Sequence, residues 1–193
     1  MLQQFETYLR TKTDLPLETI GRICSLAVQR NLKRNEFLLT AGEICRCKTF
    51  VASGMLRTYS ISADGSEHIL QFSPENSWTL DPESYDNNIP SLVNIAAVEH
   101  TSILCWQRAD FLSLLAEIPQ FKIFSEKIIS QNIYYSRQRI LKAISSTPEE
   151  KYEDFVREFP GYLSRLPLRM MAAYLGISLK TLTRIRHAQL VRH

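Results

Sequence analysis

Residues 168–190 gather side chains that recognise phosphates and base edges. Arg169, Lys180, Thr181, Thr183, Arg184, Arg186 and His187 all lie there, with no carboxylate among them. An arginine fork matches O6 and N7 of guanine, a contact worth about 1–3 kcal/mol of discrimination. Hydroxyls and further cations suit the phosphate backbone, which positions a protein without specifying sequence. Spacing gives these residues an arrangement. Met171, Ala172 and Leu175 fall on one side of a short helix, and Gly176 suits a left-handed helix end. Ser178 suits the N-cap of a second helix, in which Leu182 and Ile185 recur at i, i+3 and turn inward. Short helix, tight turn and second helix make a helix-turn-helix. Leu179, Lys180, Thr183, Arg184 and His187 are then left facing outward, on the part of the second helix that reaches base edges. Arg184 is placed to bind guanine, Lys180 to meet a base or a phosphate, and Thr181, Arg186 and Arg169 to anchor phosphates. Ser178 opens this helix beside them.

The charge plan agrees. Residues 160–193 hold six basic and no acidic side chains, whereas the other 159 hold 17 basic and 20 acidic ones. A net +3 chain is therefore a −3 body with a +6 end, the distribution of a protein that meets a polyanion at one end.

Elements that position this end can be read upstream. Leu15, Ile20, Ile23, Leu26 and Ala27 have helical spacing over 15–30, with Pro16 in a first turn. From about residue 35, short runs rich in aromatic and β-branched residues follow: 37–39, 49–51, 55–61 and 68–72, then 93–99 and 102–107. Ser62-Ala63-Asp64-Gly65 predicts a hairpin turn. The stretch from Pro74 to Pro90 reads as irregular. Short strands between turns predict an antiparallel β-roll, a double-stranded, jelly-roll-like fold.

After Asp110 the period becomes helical, and Pro119 divides a short helix from a long one over about 120–145. The long helix carries two stripes. Ile129, Ile133, Ile140 and Ala143, with Ser136 in the seam, form one that predicts pairing with a second copy. Phe121, Phe124, Ile128 and Tyr135 form another that predicts contact with the roll. Thr147, Pro148, Glu149 and Glu150 predict a capped helix start, and that helix stops at Pro160. The expected class is therefore α+β: a roll with flanking helices over 1–118, a dimerisation helix over 119–145, and an all-α helix-turn-helix domain over 146–193.

Taken together, the chain resembles the Crp/Fnr family of bacterial transcription regulators over nearly its whole length. Gly42-Glu43, Phe50 to Arg57 and Asp64-Gly65 resemble the family's roll, and 120–145 its dimer helix. Ala173 to Ser178 followed by Thr181 to Ile185 resembles its helix-turn-helix most specifically. The resemblance implies a cyclic-nucleotide-binding-like roll, a homodimer and a pseudo-palindromic site on double-stranded DNA, read by the helix over 178–190. It places Leu179, Lys180 and Arg184 at base-reading positions. RNA polymerase and a small-molecule effector are the further partners it implies.

Two departures stand out. Cyclic-nucleotide binders of the family carry a Gly-Glu pair and a later Arg, whereas the matching stretches here read Trp78-Thr79-Leu80-Asp81 and Pro90-Ser91-Leu92. No Lys or Arg lies between Arg57 and Arg108, while seven carboxylates do. A cyclic phosphate finds no arginine there, its natural bidentate partner, so cyclic AMP and cyclic GMP are not expected to bind tightly. The second departure is that three residues follow Leu190, too few for a wing.

Three rival readings are weaker. Trp78, Asp81, Ser84, Tyr85 and Ser91 could line an effector pocket in a sensing roll whose DNA domain is vestigial. Cys45 and Cys47, with His68, fall short of the four ligands a zinc site wants, and no metal is expected. No phosphate loop, His-Glu-x-x-His or nucleophile elbow is present, and His68, His100, His187 and His193 are scattered, so an enzyme is not expected. The N-terminus lacks a secretory pattern, no run reaches the roughly 18 apolar residues of a membrane span, and Cys24, Cys45, Cys47 and Cys105 show no paired spacing. A cytoplasmic protein with reduced thiols and no membrane partner is expected.

Overall fold

The structure is a computed structural model that describes residues 1–190. Arg192, His193 and the expectation of a missing wing fall outside the described residues. The chain divides into two compact units, residues 1–60 with 70–129, and residues 61–69 with the chain from Ser130 onward.

The first unit is the β-roll. One sheet orders β1 (Val28–Leu32), β8 (Thr101–Gln107), β3 (Cys47–Ser53) and β6 (Ser77–Thr79). The other orders β2 (Phe37–Leu39), β7 (Asn94–Ala97), β4 (Leu56–Ile61) and β5 (Glu67–Ser73). The pairs with a described register are antiparallel, with Thr49 opposite Cys105 and Thr58 opposite Ile95. β8 shows why the first sheet reads as a continuous apolar run. Ile103 and Cys105 join Leu39, Val51, Leu56 and Ile95 in the roll interior, while Leu104 and Trp106 point to the other face. That outer face is covered by helices α1 (Leu2–Lys12), α2 (Leu17–Ser25), α4 (Arg108–Glu117) and the first turns of α5 (Pro119–Ser145). Phe5, Phe50, Trp78 and Trp106 meet there, Phe5 lying 4.8 Å from Phe50 and 4.9 Å from Trp106 between ring centroids. Gly54 makes the β3–β4 turn with φ +84°, and a Cβ there would come within 2.4 Å of the His100 carbonyl oxygen. Only glycine fits that approach.

Most strands fall where the residue types place them. The helix expected over 15–30 is shorter: α2 ends at Ser25 and Val28 to Leu32 pair with β8. β1 hides its strand character because it is an edge with only Leu32 buried. α1 and β6 were not anticipated, and neither was α3 (Pro82–Asn87) within the stretch read as irregular. The 62–65 turn forms as expected: the Gly65 N–H donates to the Ser62 carbonyl at 2.9 Å, and the Asp64 carboxylate accepts from the Ser62 hydroxyl and the Ser66 N–H.

The second unit holds α6 (Pro148–Glu158), a 3-10 turn (Pro160–Tyr162), α7 (Leu168–Leu175) and α8 (Leu179–Leu190). α6 opens with a capping box, Thr147 and Glu150 satisfying each other's backbone N–H. Its core is aromatic: Phe155 lies 5.5 Å from Tyr174 and 5.6 Å from Phe159 between ring centroids. Pro119 separates α4 from α5 as expected. On α5, Phe121 and Phe124 are buried and Ile128 is half-buried, all in contact with the roll core. Tyr135, expected on the same stripe, is exposed.

Candidate nucleic-acid interface

α7, its turn and α8 follow local rules at each step. Gly176 caps α7 with φ +67°, and the Ile177 N–H closes the turn on the Ala172 carbonyl at 3.1 Å. Ser178 Oγ accepts the Thr181 N–H at 3.0 Å, the N-cap bond that starts α8. Leu182 and Ile185 are buried and hold α8 to its neighbours. With that face committed, the opposite one is fixed by helical periodicity. Leu179, Lys180, Thr183, Arg184 and His187 line one open concavity of about 720 Å³, together with Ala188. Four of these five carry polar or cationic groups, and all five are exposed. Thr181 and Arg186 are half-buried at its flank, and Arg169 is exposed on α7.

Two contacts around this face are beyond sequence reasoning, because they join distant residues. An Arg184 Nη lies 3.4 Å from a Glu149 carboxylate oxygen at the start of α6. Arg139 on α5 is half-buried, donates to the Tyr174 carbonyl at 2.9 Å and to the Ile69 carbonyl at 2.8 Å, and lies 3.9 Å from the Tyr174 ring centroid. Tyr174 is in the last turn of α7, where carbonyls lack helical partners. Arg139 therefore holds the helix that leads into the recognition turn, and ties it to the hairpin tip.

The dimer stripe is bare. Ile129, Ile133 and Ile140 are 49 %, 48 % and 60 % exposed, and Ser136 and Ala143 are exposed with them. Ile144, unnoticed in the seam, extends it and is 81 % exposed.

Of the residues considered for an effector pocket, Trp78 lies apart from the others. Trp78 belongs to the aromatic core outside the first sheet, Tyr85 to the roll interior. Ser84 Oγ donates to the Ile89 carbonyl at 2.6 Å and accepts the Cys45 N–H at 2.9 Å. Ser91 Oγ lies 2.6 Å from an Asp81 carboxylate oxygen and accepts the Val93 N–H at 3.1 Å. Those groups hold the 81–93 segment in place. Among the described residues no three His, Cys, Asp or Glu side chains are grouped to hold a metal ion.

Comparison with known proteins gives the likeness. Residues 29–118 match the cyclic nucleotide-binding domain. Over 173 residues the chain is 29 % identical to the transcriptional activator protein FnrA of Stutzerimonas stutzeri, covering 81 % of this chain and 68 % of that one. The activator Anr of Pseudomonas aeruginosa is 28 % identical over the same length and coverage. The chain is similar to Crp/Fnr transcription regulators in sequence and in fold. Solved structures share the fold: FixK2 from Bradyrhizobium japonicum has a TM-score of 0.76 at 17 % identity, covering 86 % of this chain and 85 % of its own. A Crp/Fnr regulator from Eubacterium rectale reaches 0.73 at 18 % identity, with coverages of 95 % and 88 %. Its curated relatives are transcriptional activators, and among the described residues of this chain no helix is long and apolar enough to cross a membrane.

Proposed function

We propose that this regulator works in the cytoplasm as a homodimer, reads a pseudo-palindromic DNA site through α8, and does not answer to cyclic AMP. The observation that carries the reading is the single exposed strip of Leu179, Lys180, Thr183, Arg184 and His187, on a helix whose other face is spent on packing. Lys180 and Arg184 supply cations at one-turn spacing, the geometry for a base and an adjoining phosphate. The exposed isoleucines of α5 supply a self-complementary seam, as a two-fold dimer requires. Relatives that are transcriptional activators support recruitment of RNA polymerase as the output, under control of a small-molecule effector.

Absence of cyclic AMP binding rests on the missing cations between Arg57 and Arg108 and on Leu92, 79 % exposed beside the position of the family's arginine. Selection from a random duplex pool tests the reading. A two-fold symmetric motif with half-sites about one helical turn apart, lost in Lys180→Ala/Arg184→Ala, is expected. Salt-sensitive binding without an enriched motif would leave only the phosphate interaction. Calorimetry with cyclic AMP is expected to show no heat of binding, and micromolar affinity would overturn that part.

A further inference from the structure

At the end of the roll where β3 begins, a cavity of about 520 Å³ opens, within the size range of small-molecule sites. Leu39, Leu80 and Ile95 give it apolar walls, and Cys45 and Cys47 add two thiols. Burial pushes both thiols' pKa values up, so they stay protonated and serve as soft, weakly donating surface. Arg30 and Arg46 reach the same cavity from exposed positions. Among the described residues neither guanidinium has an ion-pair partner, and the Arg30 charge is felt at Cys47 and Cys105.

Acceptors are scarce there. Glu43 is the one carboxylate among the described lining residues, and it already accepts the Thr40 N–H at 2.9 Å. The Asp81 carboxylate, which acts on Cys45, is engaged by Ser91 Oγ at 2.6 Å. Donors are in surplus. Tyr85 is 6 % exposed, packs in the same core cluster as Leu39, Cys45 and Ile95, and its hydroxyl has no hydrogen-bond partner among the described residues. Burial lifts its pKa to about 12, so it remains a donor. The Arg108 guanidinium lies 5.7 Å from its ring centroid and adds a third positive charge to this end of the roll. A buried donor left unpaired is costly unless an acceptor is supplied.

We propose that this cavity binds a small organic anion, a monocarboxylate on an apolar body, with Arg30 and Arg46 pairing the carboxylate, the Tyr85 hydroxyl donating to it, and the thiol-lined wall enclosing the hydrocarbon. The site is separate from the recognition helix and does not rest on the DNA reading.

Octanoate is the probe, with octanol and acetate at matched ionic strength as comparators. The full chain is alkylated with N-ethylmaleimide and the modified cysteines are mapped by mass spectrometry. Octanoate is expected to slow labelling of Cys47 at least fivefold, to leave Cys24 unaffected, and to raise the melting temperature with concentration. Arg30→Gln/Arg46→Gln, at exposed positions, and Tyr85→Phe are each expected to weaken protection about tenfold, each read against that variant's own labelling rate in the absence of octanoate. Unprotected Cys47 at millimolar octanoate would overturn the site. Equal protection by octanol would overturn the anion, and undiminished protection in both variants would overturn the residues assigned to hold it.

Discussion

Arg184 meets a carboxylate before it meets DNA. Its pair with Glu149 is exposed on both sides, 72 % and 52 %, and such pairs are worth about 0.2–1 kcal/mol. The contact therefore holds the guanidinium loosely near its working position and competes weakly with guanine. Glu149→Gln is expected to tighten operator binding about two- to fivefold in a fluorescence anisotropy titration. A weakened complex would show that Glu149 orients Arg184 instead of competing for it. Lys48 makes a second residue-level prediction. Burial lowers its pKa to about 8, and its Nζ lies 6.0 Å from the Trp78 ring centroid. A folded pKa below the unfolded value means that the unfolded chain binds more protons between the two. This lysine therefore adds stability as pH rises from about 8 to about 10.4. Lys48→Met is expected to stabilise the chain at pH 7 by about 2 kcal/mol and to remove that rise, read from urea midpoints at pH 7 and 9.5.

At the scale of elements, α5 does two jobs with two faces. Towards α7 it presents Arg139, whose planar fork serves two carbonyls and one ring together. A lysine has the charge without the fork, so Arg139→Lys is expected to lose about 2 kcal/mol of stability and several-fold in operator affinity. Full retention of both would mean that charge alone suffices. On its other face α5 presents Ile133 among the exposed isoleucines. Ile133→Asp places a charge in the seam and is expected to shift the protein from dimer to monomer in sedimentation velocity, with operator affinity falling by at least tenfold because one half-site replaces two. A monomeric wild-type protein with intact operator binding would refute that seam.

Across the whole molecule, what could be read from sequence was what is local. Gly176, Ser178, Leu182 and Ile185 each obey a rule spanning four residues or fewer, and together they fix the outward face of α8. Thr147 and Glu150 do the same for α6. β1 was illegible because Gln29, Arg30 and Asn31 lie on an exposed edge and leave no alternation. Trp78 could line a pocket on sequence alone, yet pairing of Phe50 with Trp78 turns it to the helix-covered face. Arg139 with Ile69, and Arg184 with Glu149, are 70 and 35 residues apart, and no periodicity links such pairs. The charge division of the sequence did survive: the basic end of the chain is where the exposed strip lies.

The central claim is that α8 reads bases, and Arg184→Ala on matched duplexes tests it most directly. Affinity for the selected site and for a shuffled duplex of equal length is measured at one near-physiological salt concentration. The account predicts a loss of about 1–3 kcal/mol on the selected site with little change on the shuffled one, and relaxed preference at one base pair of each half-site. Equal losses on both duplexes would reduce Arg184 to a phosphate contact and contradict the assignment of α8 as the reading helix.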